Sequence, residues 1–459
     1  MYRFYINNID NNYHYGELCR EFLSDEEFEV YPVRFSERDK IYLSGNSYLI
    51  NKCGSEDRDA VKRELYKLLT ELFGNRTEWG TLTGVRPLKL ALDLYRQNDS
   101  IEEMRQTLKR DYLISDSKTD LLTEIAEYQL SHLEGNPSEK TGIYVGIPFC
   151  PTRCAYCAFA SNVASDSEIE EYLDKLLLEI AYYAGLSAGS NSQIESVYIG
   201  GGTPTTLNAE QLERLINKLK SELNICPEEI EFTIEAGRPD TITAEKLSVM
   251  KKHGISRISI NPQTMKAETL ELIGRRHSPE DIIRAYKLAA EYDFDVINAD
   301  LIAGLPGESI EDFRNSLDTI IGLGANNITV HTLSVKRGSR LREDEPEYYR
   351  ENAEVVSEML DYSRIKLSSE GFIPYYIYRQ KHQIGCLENV GYCRENTHSV
   401  YNIRIMEEKQ TIVAFGAGGI GKVYYPAEDR LERVANVSNY KVYNERFEEM
   451  LERKKDYFK

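Results

Sequence analysis

The chain has 459 residues, 41% apolar and 29% charged, with 14 Pro and 29 Gly. This composition excludes a disordered or collagenous protein. At about 150 residues per folded unit, several domains are expected. Lys and Arg number 56 against 75 Asp and Glu, a net charge of −19, which excludes a general binder of nucleic acid or anionic membrane.

In chain order, residues 1–140 read as an α+β region. Short runs rich in Tyr, Phe and Val (MYRFYI, FEVYPVRF, IYLSGNSYLI) predict strands, and leucine spacing predicts helices over 57–73, 87–97 and 117–133. No catalytic cluster stands out there. The polar, Gly- and Pro-containing stretch 132–142 is expected to be a linker. From residue 143 the texture becomes strand–helix alternation. Apolar strands are predicted at 143–147, 196–199, 231–235, 257–260, 296–302 and 327–333, with amphipathic helices at 168–184, 209–223, 244–253, 279–291 and 310–323. Repeated βα units predict a parallel sheet whose functional groups gather at the C-terminal ends of the strands. The expected fold is α/β, a partial (β/α)6 TIM-like barrel over 141–335, with the α+β domain before it. Residues 336–459 are expected to form an extension closing the open side, with a helix at 354–369 and strands at 373–381 and 410–415. No run of about 18 uncharged apolar residues occurs, and the first residues lack a basic-then-apolar leader, so no membrane span or secretory signal is expected.

Eight cysteines stand at 19, 53, 150, 154, 157, 226, 386 and 393. Three within eight residues of a long chain without a leader point to metal binding in a reducing, cytoplasmic setting. Cys150, Cys154 and Cys157 form C-x3-C-x2-C just after the first barrel strand. Three thiolates can hold three corners of a [4Fe–4S] cube and leave one iron open; with a fourth ligand from elsewhere they could instead form a zinc knuckle. Tyr156 before the last cysteine and the βα pattern that follows favour the cluster. Cys386 and Cys393, near His382 and His398, read as buried thiols in preference to a second metal site. The run Gly200-Gly-Gly202-Thr203-Pro204 follows the second strand, where glycines permit close backbone approach to a ligand and expose N–H groups. Single polar residues mark later strand ends: Glu235, Asn261 with Gln263, Asp300 and His331. Gly416-Ala-Gly418-Gly-Ile-Gly421 satisfies G-x-G-x-x-G, but no βαβ unit follows, so it does not read as a dinucleotide site.

The cysteine triad on the loop after the first strand resembles the signature of the radical S-adenosylmethionine (SAM) enzymes. The resemblance implies that the open iron binds the amino and carboxylate groups of SAM. One electron then cleaves SAM to methionine and a 5′-deoxyadenosyl radical. Residue by residue, it assigns Gly201, Gly202 and Thr203 to the loop for the SAM amino group and Glu235 to an acid near the amino or ribose groups. Gln263 and Asp300 become ribose or adenine contacts, and Arg275 a contact of the SAM carboxylate. Tyr144 becomes an aromatic beside the cluster, and Tyr156 a position whose backbone touches adenine.

The runs YVGIPFC, GGGTPT, NADLIAGLPGES and AFGAGGIG resemble the oxygen-independent coproporphyrinogen III oxidase-like branch. Within it, TLTGVRPLKL, VHTLSVKRGSRL, YYIYRQK and LENVGY resemble the HemZ-type coproporphyrinogen dehydrogenases. The implied reaction is oxidative decarboxylation of two propionates of coproporphyrinogen III to the vinyl groups of protoporphyrinogen IX, with a low-potential electron donor and a separate electron acceptor as partners. The G-x-G-x-x-G run becomes, by the same resemblance, a loop over SAM or substrate. A substrate with four propionates requires cations, and Lys336, Arg337, Arg340, Arg379 and Lys381 are the candidates. The arginines at 337, 340 and 342 also fit a solvated face balanced by Glu343, Asp344 and Glu345. The branch's well-understood oxidases carry a Cys and a His where this chain has Phe159 and Gly146. The Cys-x-Phe form also occurs in related haem chaperones, so haem carriage without decarboxylation is the alternative.

Overall fold

In a computed structural model, all residues are described here except 10, 35–42, 44, 75, 134, 158–160, 188–191, 335–351 and 459. The chain forms two compact units, Met1–His132 and Leu133–Lys459.

In the first unit, β1 (Tyr2–Asn7) lies between β2 (Phe28–Val33) and β3 (Ser47–Ile50), parallel to both. Alternation along β1 turns Phe4 and Ile6 into a core with Leu18, Leu65 and Leu69. The helices are α1 (Tyr13–Cys19), α2 (Arg58–Phe73), α3 (Pro87–Asn98), α4 (Ile101–Asp111) and α5 (Asp116–His132). α2 starts where Asp57 accepts from the amides of Asp59 and Ala60, and stops at Gly74 in the left-handed region, φ 73°. α1 and α4 go beyond the sequence expectation.

The second unit carries an 11-stranded sheet. At its centre six parallel strands lie side by side in chain order: β4 (Lys140–Ile147), β5 (Gln193–Gly201), β6 (Glu231–Glu235), β7 (Arg257–Ser259), β8 (Val296–Ala303) and β9 (Asn327–Thr332). Helices α6 (Asp166–Leu186), α7 (Ala209–Leu223), α8 (Ala244–Lys252), α9 (Ala267–Leu272), α10 (Pro279–Ala290) and α11 (Ile310–Gly322) connect them. This is the expected partial (β/α)6 arrangement. Four of these helices begin with reciprocal capping boxes, at Ser165, Asn208, Ser278 and Ser309, which fix where each one starts.

The chain after residue 352 adds strands to both edges of this core. β10 (Ile373–Tyr378) and β11 (Asn389–Cys393) extend it beyond β9, with β11 antiparallel to β9 and to β10. β10 therefore ends at the same end of the sheet as β4 to β9. On the other edge β12 (Thr411–Phe415) lies parallel to β4, followed by antiparallel β13 (Ile420–Tyr425) and β14 (Arg430–Ala435). The helix Val400–Glu407 packs against β5 and β10. Its first turn is held by Glu231, the first residue of β6, which accepts from the amides of Val400 (2.7 Å) and Tyr401 (3.1 Å) and from Ser399 Oγ (2.9 Å). Arg404 forks onto Glu195 near the start of β5, at 2.9 and 3.1 Å. The N-terminal ends of the parallel strands are thus covered, and their C-terminal ends carry the remaining polar groups.

Candidate active site

The strand register determines what faces inward. Tyr144, Tyr198, Thr233 and Arg257 are successive partners across β4 to β7, and so share one face of the sheet. Tyr401 joins this face from the covering helix and stacks on Tyr198, with ring centroids 4.6 Å apart, and on Tyr144 at 6.3 Å. One step toward the C-terminal ends, Gly146 pairs with Gly200 on the same face. A Cβ on Gly200 would lie 2.7 Å from the Tyr198 ring and 3.0 Å from the Glu235 carboxyl carbon, and one on Gly146 2.9 Å from the Ala417 carbonyl. These glycines are there because no side chain fits.

The cysteine loop begins three residues after β4. Phe149 and Asn162 bridge its base, where the Cys150 amide donates to Asn162 O at 3.0 Å and the Asn162 amide to Pro148 O at 2.9 Å. Its far side is tied to the segment after α9: the Ala155 amide donates to Ile273 O (3.0 Å) and Thr152 Oγ1 to Gly274 O (2.9 Å). Cys150, Cys154 and Cys157 are partly exposed thiols without disulfides, and Cys150 Sγ lies 3.4 Å from Thr203 Oγ1.

Three soft sulfur donors on one short loop suit an iron–sulfur cube. Among the described residues, no three His, Cys, Asp or Glu side chains converge on a point where one metal ion would sit. A cube differs in taking each thiolate on its own corner. Burial pushes the Cys150 thiol up to about 11, and only a metal's charge would hold it as the thiolate a ligand must be. Cys386, Cys393, His382 and His398 form no such group either, among the described residues.

The turn after β5 packs onto this loop. The amides of Gly202 and Thr203 donate to Ile147 O (2.8 Å) and Phe149 O (2.7 Å), and the Gly201 amide to the Glu235 carboxylate. The glycines allow the approach: a Cβ on Gly202 would lie 2.6 Å from Phe149 O. Contrary to the expectation of exposed N–H groups, these donors are taken up inside the protein. Glu235 also accepts from Tyr198 Oη. Burial raises its carboxyl to about 7; the Tyr198 hydrogen bond opposes the rise and the Asp300 charge adds to it.

On the other side, Asn298 Nδ2 donates to Asp300 Oδ1 (2.9 Å) and to Ser259 Oγ (2.7 Å), and His331 Nε2 lies 3.7 Å from Asp300 Oδ2. His331 Nδ1 meets Tyr378 Oη at 3.0 Å. Gln263 is buried at φ 69°, in the left-handed region that costs a non-glycine residue about 1–3 kcal/mol. Its backbone is held there by Asp300 O and the Ile302 amide, at 2.9 and 3.0 Å. Arg275 donates to Asn261 O and, at 3.3 Å, to Tyr156 Oη. Arg275 Nε and Asn298 Oδ1 are buried without a hydrogen-bond partner among the described residues, which suits a site completed by a polar ligand.

The cationic candidates are less gathered. Arg337 and Arg340, like Lys336 and Phe159, lie outside the described residues. Arg379 and Lys381 follow β10 at the same end of the sheet as the cysteine loop. Arg379 is buried and forks onto the Cys386 carbonyl, at 2.8 and 3.2 Å, while Lys381 is exposed and its carbonyl accepts from Ser334 Oγ at 2.9 Å.

The second glycine-rich turn differs from a phosphate cradle. Its amides are occupied: Gly416 on Glu179 (2.7 Å), Ala417 on Tyr172 Oη (2.9 Å), Gly418 on Val437 O (2.8 Å) and Gly419 on Gly416 O (3.2 Å). Glu179 also pairs with Lys454 and accepts from Asn436 Nδ2 (2.8 Å) and Tyr443 Oη (2.7 Å), with the Glu179 and Lys454 side chains 0% and 2% exposed. Sequence reasoning missed this knot and the helix Val400–Glu407. It also missed Arg238 and Asp240, whose only signal was a position just past the third barrel strand.

Residues 144–320 match the radical SAM superfamily. An oxygen-independent coproporphyrinogen-III oxidase-like protein, HemZ, of Bacillus subtilis (strain 168) is 40% identical over 404 residues, covering 87% of this chain and 81% of that protein. The heme chaperone HemW of the same organism is 35% identical over 193 residues, covering 42% of this chain and 50% of its own length. Among solved structures, the coproporphyrinogen III oxidase HemN of Escherichia coli aligns at TM-score 0.53 and 22% identity over 71% of this chain and 73% of its own, a likeness of fold. The chain belongs to the radical SAM superfamily, with the HemZ-type coproporphyrinogen-III oxidase-like proteins, and its cofactors are those of the family, a [4Fe–4S] cluster and SAM.

Proposed function

We propose that this protein is an oxidoreductase of porphyrin and haem biosynthesis, active in the cytoplasm, that decarboxylates two propionates of coproporphyrinogen III to the vinyl groups of protoporphyrinogen IX. The observation that carries the reading is the polarity of the second unit. The N-terminal strand ends are filled by a helix, while the cysteine loop, the acids Glu235 and Asp300 and the end of β10 with Arg379 and Lys381 all lie at the C-terminal ends.

When bound, the cluster and SAM supply a carbon-centred radical able to remove hydrogen from an unactivated carbon. Cys150, Cys154 and Cys157 hold the cluster, with Tyr144 beside it. The amides of the turn at Gly201, Gly202 and Thr203 are already bonded, and the Thr203 carbonyl accepts from Thr206, so the Gly201 and Gly202 carbonyls are what the turn offers an ammonium group, together with the Glu235 carboxylate. Arg275 takes the methionine carboxylate, Gln263 and Asp300 the ribose and adenine, and the backbone of Tyr156 the adenine edge. Arg337, Arg340, Arg379 and Lys381 grip propionates and fix one β-carbon in place. The stacked rings of Tyr144, Tyr198 and Tyr401 form a wall that keeps water out. Each propionate loses its β-hydrogen as an atom, its carboxylate as CO2, and one electron to a separate acceptor, which leaves the alkene. A low-potential donor is the other required partner.

The test is anaerobic incubation of the reconstituted protein with coproporphyrinogen III, SAM and a reductant. Protoporphyrinogen IX and 5′-deoxyadenosine are expected. Stable haem binding with no turnover would instead place the protein with the chaperones.

A further inference from the structure

We infer that Arg238 sets the reduction potential of the cluster by acting through the Cys154 sulfur, with Asp240 as its positioning partner and counter-charge. The inference rests on the cluster reading above and deepens it.

Arg238 lies three residues past β6, is 3% exposed, and carries its Nη1 4.0 Å from Cys154 Sγ and 3.0 Å from Thr152 Oγ1. The other edge of its guanidinium forks onto Asp240, Nε to Oδ1 at 3.0 Å and Nη2 to Oδ2 at 3.1 Å. The backbone leaves the pair little freedom. Arg238 O accepts from the Thr241 amide (3.0 Å) and Thr241 Oγ1 (2.7 Å), and Thr241 Oγ1 meets Thr205 Oγ1 at 2.6 Å. Behind Asp240, the buried His277 ring brings Nδ1 within 3.6 Å of Oδ1. The other guanidinium at the loop, that of Arg275, bonds to Tyr156 and also interacts with Cys154, but among the described residues it has no carboxylate partner like Asp240, so the opposite shifts expected of Arg238 and Asp240 variants belong to this pair.

A guanidinium keeps its charge at every working pH. A fixed cation with an N–H aimed at a ligand sulfur stabilises the more electron-rich, reduced cluster, and so raises its potential. Burial keeps bulk salt from screening it. Asp240 holds the guanidinium in place and offsets its charge. The two residues therefore pull the potential in opposite directions, which a purely structural pair would not do.

The experiment is an EPR-monitored redox titration of the reconstituted full chain without SAM, in the wild type and in Arg238→Gln, Arg238→Lys and Asp240→Asn. Iron and sulfide content is measured on each sample. Arg238→Gln should lower the reduced-to-oxidised ratio at fixed potential about tenfold, about 59 mV for one electron. Arg238→Lys should recover part of that shift, and Asp240→Asn should move the ratio the other way. A loaded Arg238→Gln variant with the wild-type potential overturns the inference, as does Asp240→Asn moving in the same direction as Arg238→Gln. If Arg238→Gln fails to retain iron, Asp240→Asn decides alone: a raised potential supports the inference, and an unchanged or lowered one overturns it. Wild-type protein without iron and sulfide would instead strike at the cluster reading itself.

Discussion

The glycine run Gly200–Thr203 ends β5 and turns out of it, and the turn Gly416–Gly419 follows β12. Both stand at the C-terminal end of parallel strands, and both give their amides to the protein interior. The partners differ. The first turn bonds to the cysteine loop and to Glu235, so it fixes the spacing of the groups that do chemistry. The second bonds to Tyr172 and Glu179, and Glu179 reaches Lys454, 275 residues along the chain. It ties the C-terminal helix to the sheet. Similar glycine patterns thus serve positioning in one place and anchoring in the other.

That contrast can be broken by substitution. On the chemical side, Cys154→Ser should leave the far-UV spectrum and melting temperature near wild type and reduce 5′-deoxyadenosine formation to background in an anaerobic assay. On the anchoring side, Lys454→Met leaves Glu179 buried without its cation. It should cost about 3–5 kcal/mol in urea unfolding, while deoxyadenosine formed per folded, iron-loaded molecule stays unchanged. If deoxyadenosine formed per folded, iron-loaded molecule falls in the second variant, the two turns are not separable in this way.

Two smaller effects sharpen the comparison. Gly202→Ala places a Cβ 2.6 Å from Phe149 O and 2.9 Å from Ile147 O. The cysteine loop must shift, at about 1–3 kcal/mol in unfolding, with weaker cluster retention in a chelator challenge. Gly416→Ala, crowded against Tyr172 at φ 81°, should lose stability without that change in retention. Glu235 supplies the smallest effect. Its carboxyl is raised to about 7, so below that pH it is neutral and above it anionic. If it pairs with the SAM ammonium, SAM should bind up to about tenfold more tightly at pH 8 than at pH 6 by calorimetry, and Glu235→Gln should flatten the trend. The same shift makes Glu235 a stabilising group below its ordinary range, with that contribution lost as pH rises through about 7.

Local signals made the parallel core legible. Apolar periodicity gave the strands β4 to β9 and five of the six helices between them, with ends within three residues, while the six-residue α9 was too short to show a period. Candidate residues such as Glu235, Gln263 and Asp300 were visible because a βα unit announces its own C-terminal strand end. What stayed hidden depends on distant partners. β14, Arg-Leu-Glu-Arg-Val-Ala, is a polar edge strand with one buried residue, so alternation is faint. The helix Val400–Glu407 is short and rich in residues that do not favour helix, and it exists because Glu231 caps it from another strand. A lysine as buried as Lys454 carries no local mark, since only its ion pair with Glu179 makes that position tolerable. Arg238 and Asp240 looked like an ordinary charged turn until the fold placed them against Thr152 and Cys154.

The central claim is that three neighbouring thiols hold a cluster with one iron left for SAM. The most direct measurement is iron and acid-labile sulfide in anaerobically reconstituted protein, with the EPR spectrum of the reduced form taken before and after SAM is added. About four irons and four sulfides per chain are predicted, with a signal that changes on SAM addition. Folded protein that retains neither iron nor sulfide, or a full cluster whose spectrum ignores SAM, would contradict the account.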